Sequence, residues 1–229
     1  RSFRDAFAEA FAAHGGADVY YAGKAFLGGA VAHWVEEDGL GLDVCTGGEL
    51  AVALRADFPA ERIALHGNNK SEAEIRRALE AGVGRIVIDS LDEIALVEDV
   101  AARLGLRAPV MLRVTTGVEA HTHEFIATAH EDQKFGLSLT GGAAFDAVRR
   151  VLAAEHLDLL GLHSHIGSQI FDTGGFDVAA RRLLELVARV RDELGRTIDQ
   201  LDLGGGFGVM YNTQHTPATP EVLAAGIAR

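Results

Sequence analysis

Short apolar runs alternate along the chain with longer amphipathic stretches. Seven runs are rich in β-branched and other apolar residues, which is typical of buried strands; they cover residues 18–22, 40–44, 62–65, 85–88, 110–114, 157–163 and 200–203. In the stretches between them, apolar residues return every three or four positions, which predicts helices such as 71–81, 91–104, 145–154 and 176–194. A parallel sheet follows, because short crossovers through helices connect parallel strands.

The spacing of the runs distinguishes between two parallel-sheet architectures. The first five runs start every 22–25 residues and the repetition continues without a reversal, which favours an α/β barrel of the (β/α)8 TIM type over an open doubly wound sheet. A complete barrel has eight strands in roughly 250 residues. We find seven runs in 229 residues, and residues 220–229 resemble the beginning of a further helix. We therefore expect one domain, 1–229, that stops before the eighth strand.

Composition and charge argue against several classes of protein. Hydrophobic residues make up 48% of the chain, but no apolar run approaches the roughly 20 residues of a bilayer span, so we expect no membrane association. The net charge is −12 and the basic residues are scattered, which argues against binding to nucleic acids. One cysteine cannot form an internal disulfide, and residues 1–20 lack the pattern of a secretory signal, so we expect a cytoplasmic protein.

Polar or glycine-rich segments follow all but one of the seven runs. In a barrel the functional groups lie at the carboxyl ends of the strands, where these segments would meet. A purely structural barrel would not need them, so the sequence predicts a binding or catalytic site at this end. The residues at the ends of all seven runs are Gly23-Lys24, 43–49, 66–70, Asp89-Ser90, Arg113, 163–169 and 204–208.

Lysine is rare in this chain, which gives each lysine weight. It occurs only at Lys24, Lys70 and Lys134. Lys24 follows the first run and would point into the mouth of the barrel, where desolvation lowers the pKa of an amine and makes it a nucleophile. The alternative is an ordinary surface lysine at a strand end.

The glycine run Gly204-Gly205-Gly206-Phe207-Gly208 follows the last strand. Consecutive glycines allow backbone N–H groups to converge on a phosphate, and barrels bind phosphate after a late strand. Ser168 could add a hydroxyl to the same anion. The alternative is a flexible turn.

Histidines occur in two groups that could bind a metal or a cofactor. His163 and His165 alternate along a strand end, as paired metal ligands or as one imidazole packed on a cofactor ring. The metal hypothesis is the weaker, because barrel hydrolases carry such a pair on the first strand, which here carries a lysine. A second group, His121, His123, Glu124 and His130, could indicate zinc, although a solvated or substrate-covering loop is favoured.

Taken together, these segments resemble the alanine-racemase-fold, pyridoxal-phosphate-dependent decarboxylases. The resemblance rests on seven motifs in the family's order, at residues 21–25, 43–49, 66–70, 121–124, 134–136, 163–169 and 203–208. Within the family it is closest to the branch that decarboxylates meso-2,6-diaminopimelate to L-lysine. The seven motifs together are far more specific than any one of them.

The resemblance implies a role for each candidate residue. Lys24 would bind pyridoxal 5'-phosphate as an imine, and the cofactor ring would take up the electrons left when CO2 departs. His165 would stack on that ring. The phosphate would lie against Ser168, Gly205 and Gly206, with Asp43, Glu49 and Arg113 around the lysine and the cofactor. The motif containing His66 and Asn68 also matches, without an assigned contact.

The resemblance also implies parts that this sequence does not match. The family's Glu-Pro-Gly-Arg segment and its C-terminal β domain, with a proton-donating cysteine and a tyrosine facing the partner, have no counterpart here. We therefore expect the barrel portion of a longer, homodimeric enzyme with an amino acid substrate, inactive as this fragment alone. The alternatives are an ornithine- or arginine-type decarboxylase, a non-catalytic single-domain pyridoxal-phosphate barrel and, more distantly, a metal-dependent hydrolase.

Overall fold

The computed structural model describes residues 1–118 and 135–229. Within these ranges the strands are β1 Tyr20–Ala22, β2 Gly41–Val44, β3 Ile63–Leu65, β4 Arg85–Ile88, β5 Ala108–Thr115, β6 Leu137–Ser138, β7 Leu157–His163 and β8 Gln200–Asp202. The α-helices are α1 Ser2–Ala10, α2 Gly29–Glu37, α3 Gly47–Arg55, α4 Glu72–Ala81, α5 Leu91–Leu104, α6 Ala143–Ala153, α7 Gly174–Leu194 and α8 Pro220–Ile227. The seven predicted strands are confirmed, and β6 is a two-residue addition.

The strands form one parallel sheet in the order β1-β2-β3-β4-β5-β7-β8, with β6 paired only to β5. The order follows the chain without a reversal, as in a TIM-type barrel, whereas a doubly wound sheet reverses its strand order at a switch point. The predicted fold is confirmed: seven consecutive strands of such a barrel, with β1 and β8 as the sheet edges in the described ranges.

The apolar core lies between the sheet and the surrounding helices. Successive residues of a strand point to opposite faces. In β3, Ile63 and Leu65 are fully buried in the core cluster, whereas Ala64 between them lies outside that cluster, on the barrel interior. Burying a side chain of this size stabilises a fold by about 1.5–3 kcal/mol, so the outward faces of the strands hold the barrel together.

Side-chain caps in the loops after β3 and β4 fix the starts of α4 and α5. Ser71 forms a capping box at the start of α4, because its side chain accepts from Glu74 N–H while Glu74 reaches back to Ser71 N–H. Ser90 caps α5 by accepting from Glu93 N–H. These caps keep each loop short, so the polar residues of the loops stay at the mouth of the barrel.

The first and last helices of the described residues, α1 and α8, pack against each other. The expected helix near residue 220 is confirmed as α8, with Pro220 in its first turn. Among the helices of the described ranges, none has both the length and the apolar composition needed to cross a bilayer.

Candidate active site

Polar side chains from several strand ends converge inside the barrel. Arg113 of β5 pairs with Asp89, just after β4, at 3.3 Å between Nη1 and Oδ1. The rings of His66, just after β3, and His163 of β7 meet edge to face with centroids 5.0 Å apart. Since β3 and β7 are not neighbours in the sheet, this contact crosses the barrel interior. The predicted convergence of polar strand ends is therefore what the structure shows.

Lys24 lies in a short 3-10 turn, Gly23–Ala25, directly after β1. Its side chain is exposed, and its ammonium has no hydrogen bond or ion pair with residues in the described ranges. Gly23 fixes the turn against β2, because a Cβ there would lie 2.8 Å from the carbonyl oxygen of Asp43. Lys24 therefore combines a constrained backbone with a free amine.

Unlike Lys24, Lys70 has acceptors for all the N–H groups of its ammonium. It is buried, and its ammonium donates to Gly67 O, Val87 O and Glu93 Oε1, each at 2.6 Å. Since an ammonium has three N–H donors, none remains for a ligand. Lys134 lies outside the described residues, so Lys24 is the available lysine of the two that the structure describes.

His165 lies within electrostatic reach of Lys24. Burial, together with the nearby positive charges of Lys24 and Arg113, lowers the pKa of His165 to about 4. The imidazole is therefore neutral at pH 7. Its Nδ1 accepts a long hydrogen bond of 3.4 Å from Gly205 N–H, which joins the ring to the glycine run.

The glycine run is held firmly against the loop that carries Ser168. Ile170 N–H donates to Gly206 O at 2.9 Å, and Gly208 N–H donates to Ile170 O at 2.8 Å. Gly206 has a φ of +90°, and a Cβ there would overlap the carbonyl of Gly167 and lie 3.1 Å from the Cα of Ser168. These hydrogen bonds argue against the flexible-turn alternative.

The glycine run and the loop that carries Ser168 together form a glycine cradle, which is tightly packed at Gly206 and open at Gly205. A Cβ at Gly205 would meet no atom of residues 1–118 and 135–229 within 4 Å, in contrast to its neighbour Gly206. Ser168, on the adjoining loop, is exposed. An anion could approach Gly205 from the open side while Gly206 anchors the loop.

Arg113 is fixed by two further contacts. Its guanidinium lies 4.7 Å from the centroid of the Phe135 ring. Its partner Asp89 is buried and also accepts from Gly136 N–H at 3.0 Å. From the sequence, Asp89 is placed at a strand end without a role in the site. Its position after β4 was the only sequence feature that could have indicated one.

Asp43 and Glu49 differ in what they contact. Glu49 Oε2 accepts from Cys45 N–H at 2.5 Å, and Glu49 N–H donates to Thr46 Oγ1 at 3.1 Å, so the Thr46 hydroxyl caps the start of α3 while the Glu49 carboxylate holds the residue before the cap. Asp43 instead faces the barrel interior, with Oδ1 3.3 Å from His66 Nε2. Of these two predicted site residues, Asp43 is thus the one placed toward the centre of the site.

The histidines do not form a metal site in the described residues. His163 is buried, which holds its pKa well below the ordinary value, so the ring is neutral. In ranges 1–118 and 135–229, no three His, Cys, Asp or Glu side chains are arranged to hold a metal ion. The possible zinc group at residues 121–130 lies outside those ranges.

The arrangement fits pyridoxal phosphate. A free amine matches an aldehyde, a neutral flat imidazole matches a pyridine ring, and a glycine loop with an open side matches a phosphate. The fit rests on the isolated ammonium of Lys24, the hydrogen bond between His165 and Gly205, and the open space beside Gly205.

Comparison with known proteins gives a consistent result. The family described as pyridoxal-dependent decarboxylase, pyridoxal binding domain, matches residues 1–228. The diaminopimelate decarboxylase of Mycobacterium bovis is 57% identical over 228 residues, covering 97% of this chain and 51% of that protein. The diaminopimelate decarboxylase of Bacillus subtilis is 49% identical over 217 residues, covering 95% and 49%.

Solved structures agree with this. The diaminopimelate decarboxylase of M. jannaschii in complex with L-lysine has a TM-score of 0.88 at 33% identity, covering 98% of this chain and 53% of that one. The Helicobacter pylori diaminopimelate decarboxylase with L-lysine has a TM-score of 0.84 at 28% identity, covering 99% and 57%. The chain spans about half the length of the relatives it matches. With the match over residues 1–228, this chain belongs to the pyridoxal-binding-domain family of the pyridoxal-dependent decarboxylases, whose cofactor is pyridoxal phosphate.

Proposed function

We propose that this chain is the cofactor-binding barrel of an enzyme that decarboxylates meso-2,6-diaminopimelate to L-lysine and CO2. The observation that carries the proposal is that Lys24, with no partner in the described ranges, lies near the neutral His165 and the glycine run. The ammonium of Lys70, in contrast, already donates to three acceptors. The substrate is supported by the diaminopimelate decarboxylases that are up to 57% identical.

Each predicted site residue has a role in this proposal. Lys24 holds the cofactor covalently through its amine, and His165 packs flat against the ring. Ser168, Gly205 and Gly206 bind the phosphate. Asp43, Glu49 and Arg113 supply charge around the lysine, although the Glu49 carboxylate also accepts from Cys45 N–H. When bound, pyridoxal phosphate supplies an electron-accepting ring that stabilises the negative charge left as CO2 departs.

The neutral state of His165 suits this role. A protonated imidazole would place a second positive charge beside Lys24, whereas a neutral ring packs on an aromatic face without an electrostatic penalty. Because the imidazole also accepts from Gly205 N–H, packing on the ring and shaping of the phosphate loop depend on the same side chain.

The proposal extends to the organisation of the protein. We infer that residues 1–229 act as a single barrel domain, that the active enzyme is a homodimer containing further sequence, and that it works in the cytoplasm on an amino acid substrate. The relatives from M. jannaschii and H. pylori were solved with L-lysine, which supports an amino acid ligand.

Borohydride trapping tests the cofactor assignment. The full natural protein is incubated with pyridoxal phosphate, reduced, digested and mapped by mass spectrometry. We expect the pyridoxyl label on Lys24 and its absence in the Lys24→Arg variant. A label on Lys70 or Lys134, with none on Lys24, would contradict the assignment.

Release of CO2 tests the substrate. The full natural protein is supplied in parallel with meso-diaminopimelate, L-ornithine, L-arginine and L-lysine. We expect the highest kcat/KM for meso-diaminopimelate. A preference for ornithine or arginine would support the other decarboxylase branch, and labelling of Lys24 without turnover of any substrate would support a non-catalytic pyridoxal-phosphate protein.

A further inference from the structure

Gln169 has a backbone conformation that residues with a side chain rarely adopt. Its φ is +56°, and among the non-glycine residues of the described ranges only Asp57 also has a positive φ. Asp57 lies just past the end of α3, where a left-handed residue commonly closes a helix. No helix ends before Gln169, which follows β7 and precedes α7. Because such a conformation is costly and persists only where the surrounding structure holds it, the contacts of Gln169 must compensate for it.

The side-chain amide of Gln169 pairs with the backbone of Val209, and we call this pair the Gln169–Val209 clamp. Gln169 Oε1 accepts from Val209 N–H at 2.9 Å, and Gln169 Nε2 donates to Val209 O at 3.2 Å. One orientation of the amide makes both bonds, since the reverse would place donor against donor and acceptor against acceptor. The clamp thus adds two hydrogen bonds to the two backbone bonds that join Ile170 to Gly206 and Gly208.

The clamp closes a short turn that has Ser168 at its tip. Ile166 and Ile170, on either side of the turn, are both buried in the apolar cluster that contains Phe176. Ser168 between them is exposed. The turn therefore projects from two fixed apolar residues, and Gln169 ties it to the glycine run.

Both sides of the glycine cradle have a backbone with unusual freedom. The glycine run itself is 204–208, and Gly167, just before Ser168, has a φ of +129°. Glycine adopts many conformations in a free chain, so a loop of this composition needs contacts that select one of them. A Cβ at Gly206 would lie 3.1 Å from the Cα of Ser168, which shows that the turn and the glycine run are in close contact. The clamp holds the two segments together beside this contact.

We propose that Gln169 is a positioning residue for the phosphate of the cofactor. Its clamp on Val209 holds the turn that carries Ser168 against the glycine run, so that the Ser168 hydroxyl and the Gly205 N–H stay preorganised for one phosphate group. Gln169 acts through the backbone and not by contact with the phosphate. This role rests on the proposed function, because the phosphate is that of pyridoxal phosphate, whereas the clamp belongs to the chain alone.

Hydrogen exchange in the apoprotein tests the clamp without any cofactor or activity. In the full natural protein, Val209 N–H should exchange about tenfold more slowly than in the Gln169→Met variant, because methionine has a similar length but no amide. Val209 is 51% exposed, so burial gives its N–H little protection of its own. Equal exchange rates in the two proteins would overturn the clamp.

A comparison of pyridoxal phosphate with pyridoxal tests the positioning role. The two compounds share the aldehyde and the ring, so a residue that acts through the phosphate changes the affinity for the first compound alone. Borohydride labelling of Lys24 at increasing concentrations gives the half-saturating concentration of each. We expect Gln169→Met to raise this concentration about tenfold for pyridoxal phosphate, as for the loss of two hydrogen bonds, and by less than about twofold for pyridoxal. Equal increases for both compounds would refute the role.

Two further variants separate the amide from the backbone conformation. Gln169→Gly relieves the positive φ but removes the amide, and should weaken pyridoxal phosphate binding as much as Gln169→Met. Gln214→Ala, at an exposed glutamine between β8 and α8, should change neither affinity. Unchanged affinity in Gln169→Gly would refute the positioning role of the amide. If neither compound labels Lys24 in the unsubstituted protein, the proposed function fails and the phosphate role fails with it, while hydrogen exchange still decides the clamp.

Discussion

Neighbouring residues of one strand belong to two very different regions of this molecule. Leu42 and Leu162 are fully buried in the apolar core between the sheet and the helices. The next residues, Asp43 and His163, face the barrel interior beneath the candidate site. Because successive side chains point to opposite faces, each strand supplies stability on one side and chemistry on the other.

The two lysines that the structure describes differ in the same way: one is available for chemistry and the other stabilises the fold. Lys24 is exposed, with an amine free of partners in the described ranges, while Lys70 is buried with three acceptors, including Glu93. Both follow a strand at the carboxyl end of the sheet. Position alone therefore does not separate a reactive lysine from a structural one; the number of acceptors around it does.

The largest effect is expected at Lys24. Lys24→Ala should abolish covalent cofactor attachment and activity, because no other described lysine has a free amine. Its free energy of unfolding should change by no more than about 0.5 kcal/mol, as for other exposed sites. Borohydride labelling and urea unfolding, measured on the same preparation, check both statements. If the Lys24→Ala variant were still labelled and lost much stability, Lys24 would be the structural lysine and the reactive lysine would lie elsewhere.

Lys70 should show the reverse behaviour. Lys70→Met leaves Glu93 buried without its cation, which should lower the free energy of unfolding by about 3–5 kcal/mol. Adding Glu93→Leu should recover part of that loss, since the unpaired charge is then removed. Urea unfolding of the two variants tests this. A stable Lys70→Met protein that has lost labelling at Lys24 would show that Lys70 belongs to the reactive site.

Gly205 and Gly206 show the same contrast between a residue open to a ligand and a residue needed for the fold, with smaller expected effects. Gly206→Ala forces a Cβ onto a residue with φ of +90° against the Gly167 carbonyl, and should destabilise the loop by about 1–3 kcal/mol. The Cβ of Gly205→Ala meets no atom of the described residues within 4 Å, so stability should hold while phosphate binding weakens. Thermal unfolding and pyridoxal phosphate titration of both variants separate the two effects. Identical behaviour of the two variants would remove the distinction between a tight and an open side.

Much of the fold could be predicted from the sequence because its strands are continuous apolar runs. The seven runs agree with β1–β5, β7 and β8 to within about two residues at most ends, and the absence of a reversal in their spacing predicted the sequential sheet order. β6 was missed because two residues, Leu137–Ser138, carry no periodic signal. The extension of β5 to Ala108 includes Pro109, which argues against a strand in a sequence pattern.

The candidate site was predictable only in part. Strand-end position predicted that Lys24, His165 and the glycine run lie at the same end of the sheet, and the structure places His165 beside Gly205 and within electrostatic reach of Lys24. The Thr46 cap of α3 has a local sequence signal, since threonine followed three residues later by glutamate is typical of a helix start. The pairing of Lys70 with Glu93 has none, because it joins two loops that are distant in the sequence.

The smallest expected effect concerns the pH dependence of His165. Its pKa in the folded protein, about 4, lies below the ordinary 6.5 because of burial and the nearby positive charges of Lys24 and Arg113. Between these two values the unfolded chain binds more protons than the folded one, so stability rises with pH across this window and is lost as pH falls from about 6.5 towards 4. His165→Gln should therefore flatten part of this slope, although His163, whose pKa is also lowered, retains its own share. Urea unfolding at pH 4.5, 5.5 and 7 measures the slope in both proteins. An equal flattening by His165→Gln and by His33→Gln, at an exposed histidine, would show that the His165 imidazole is not held neutral by its burial and the nearby positive charges.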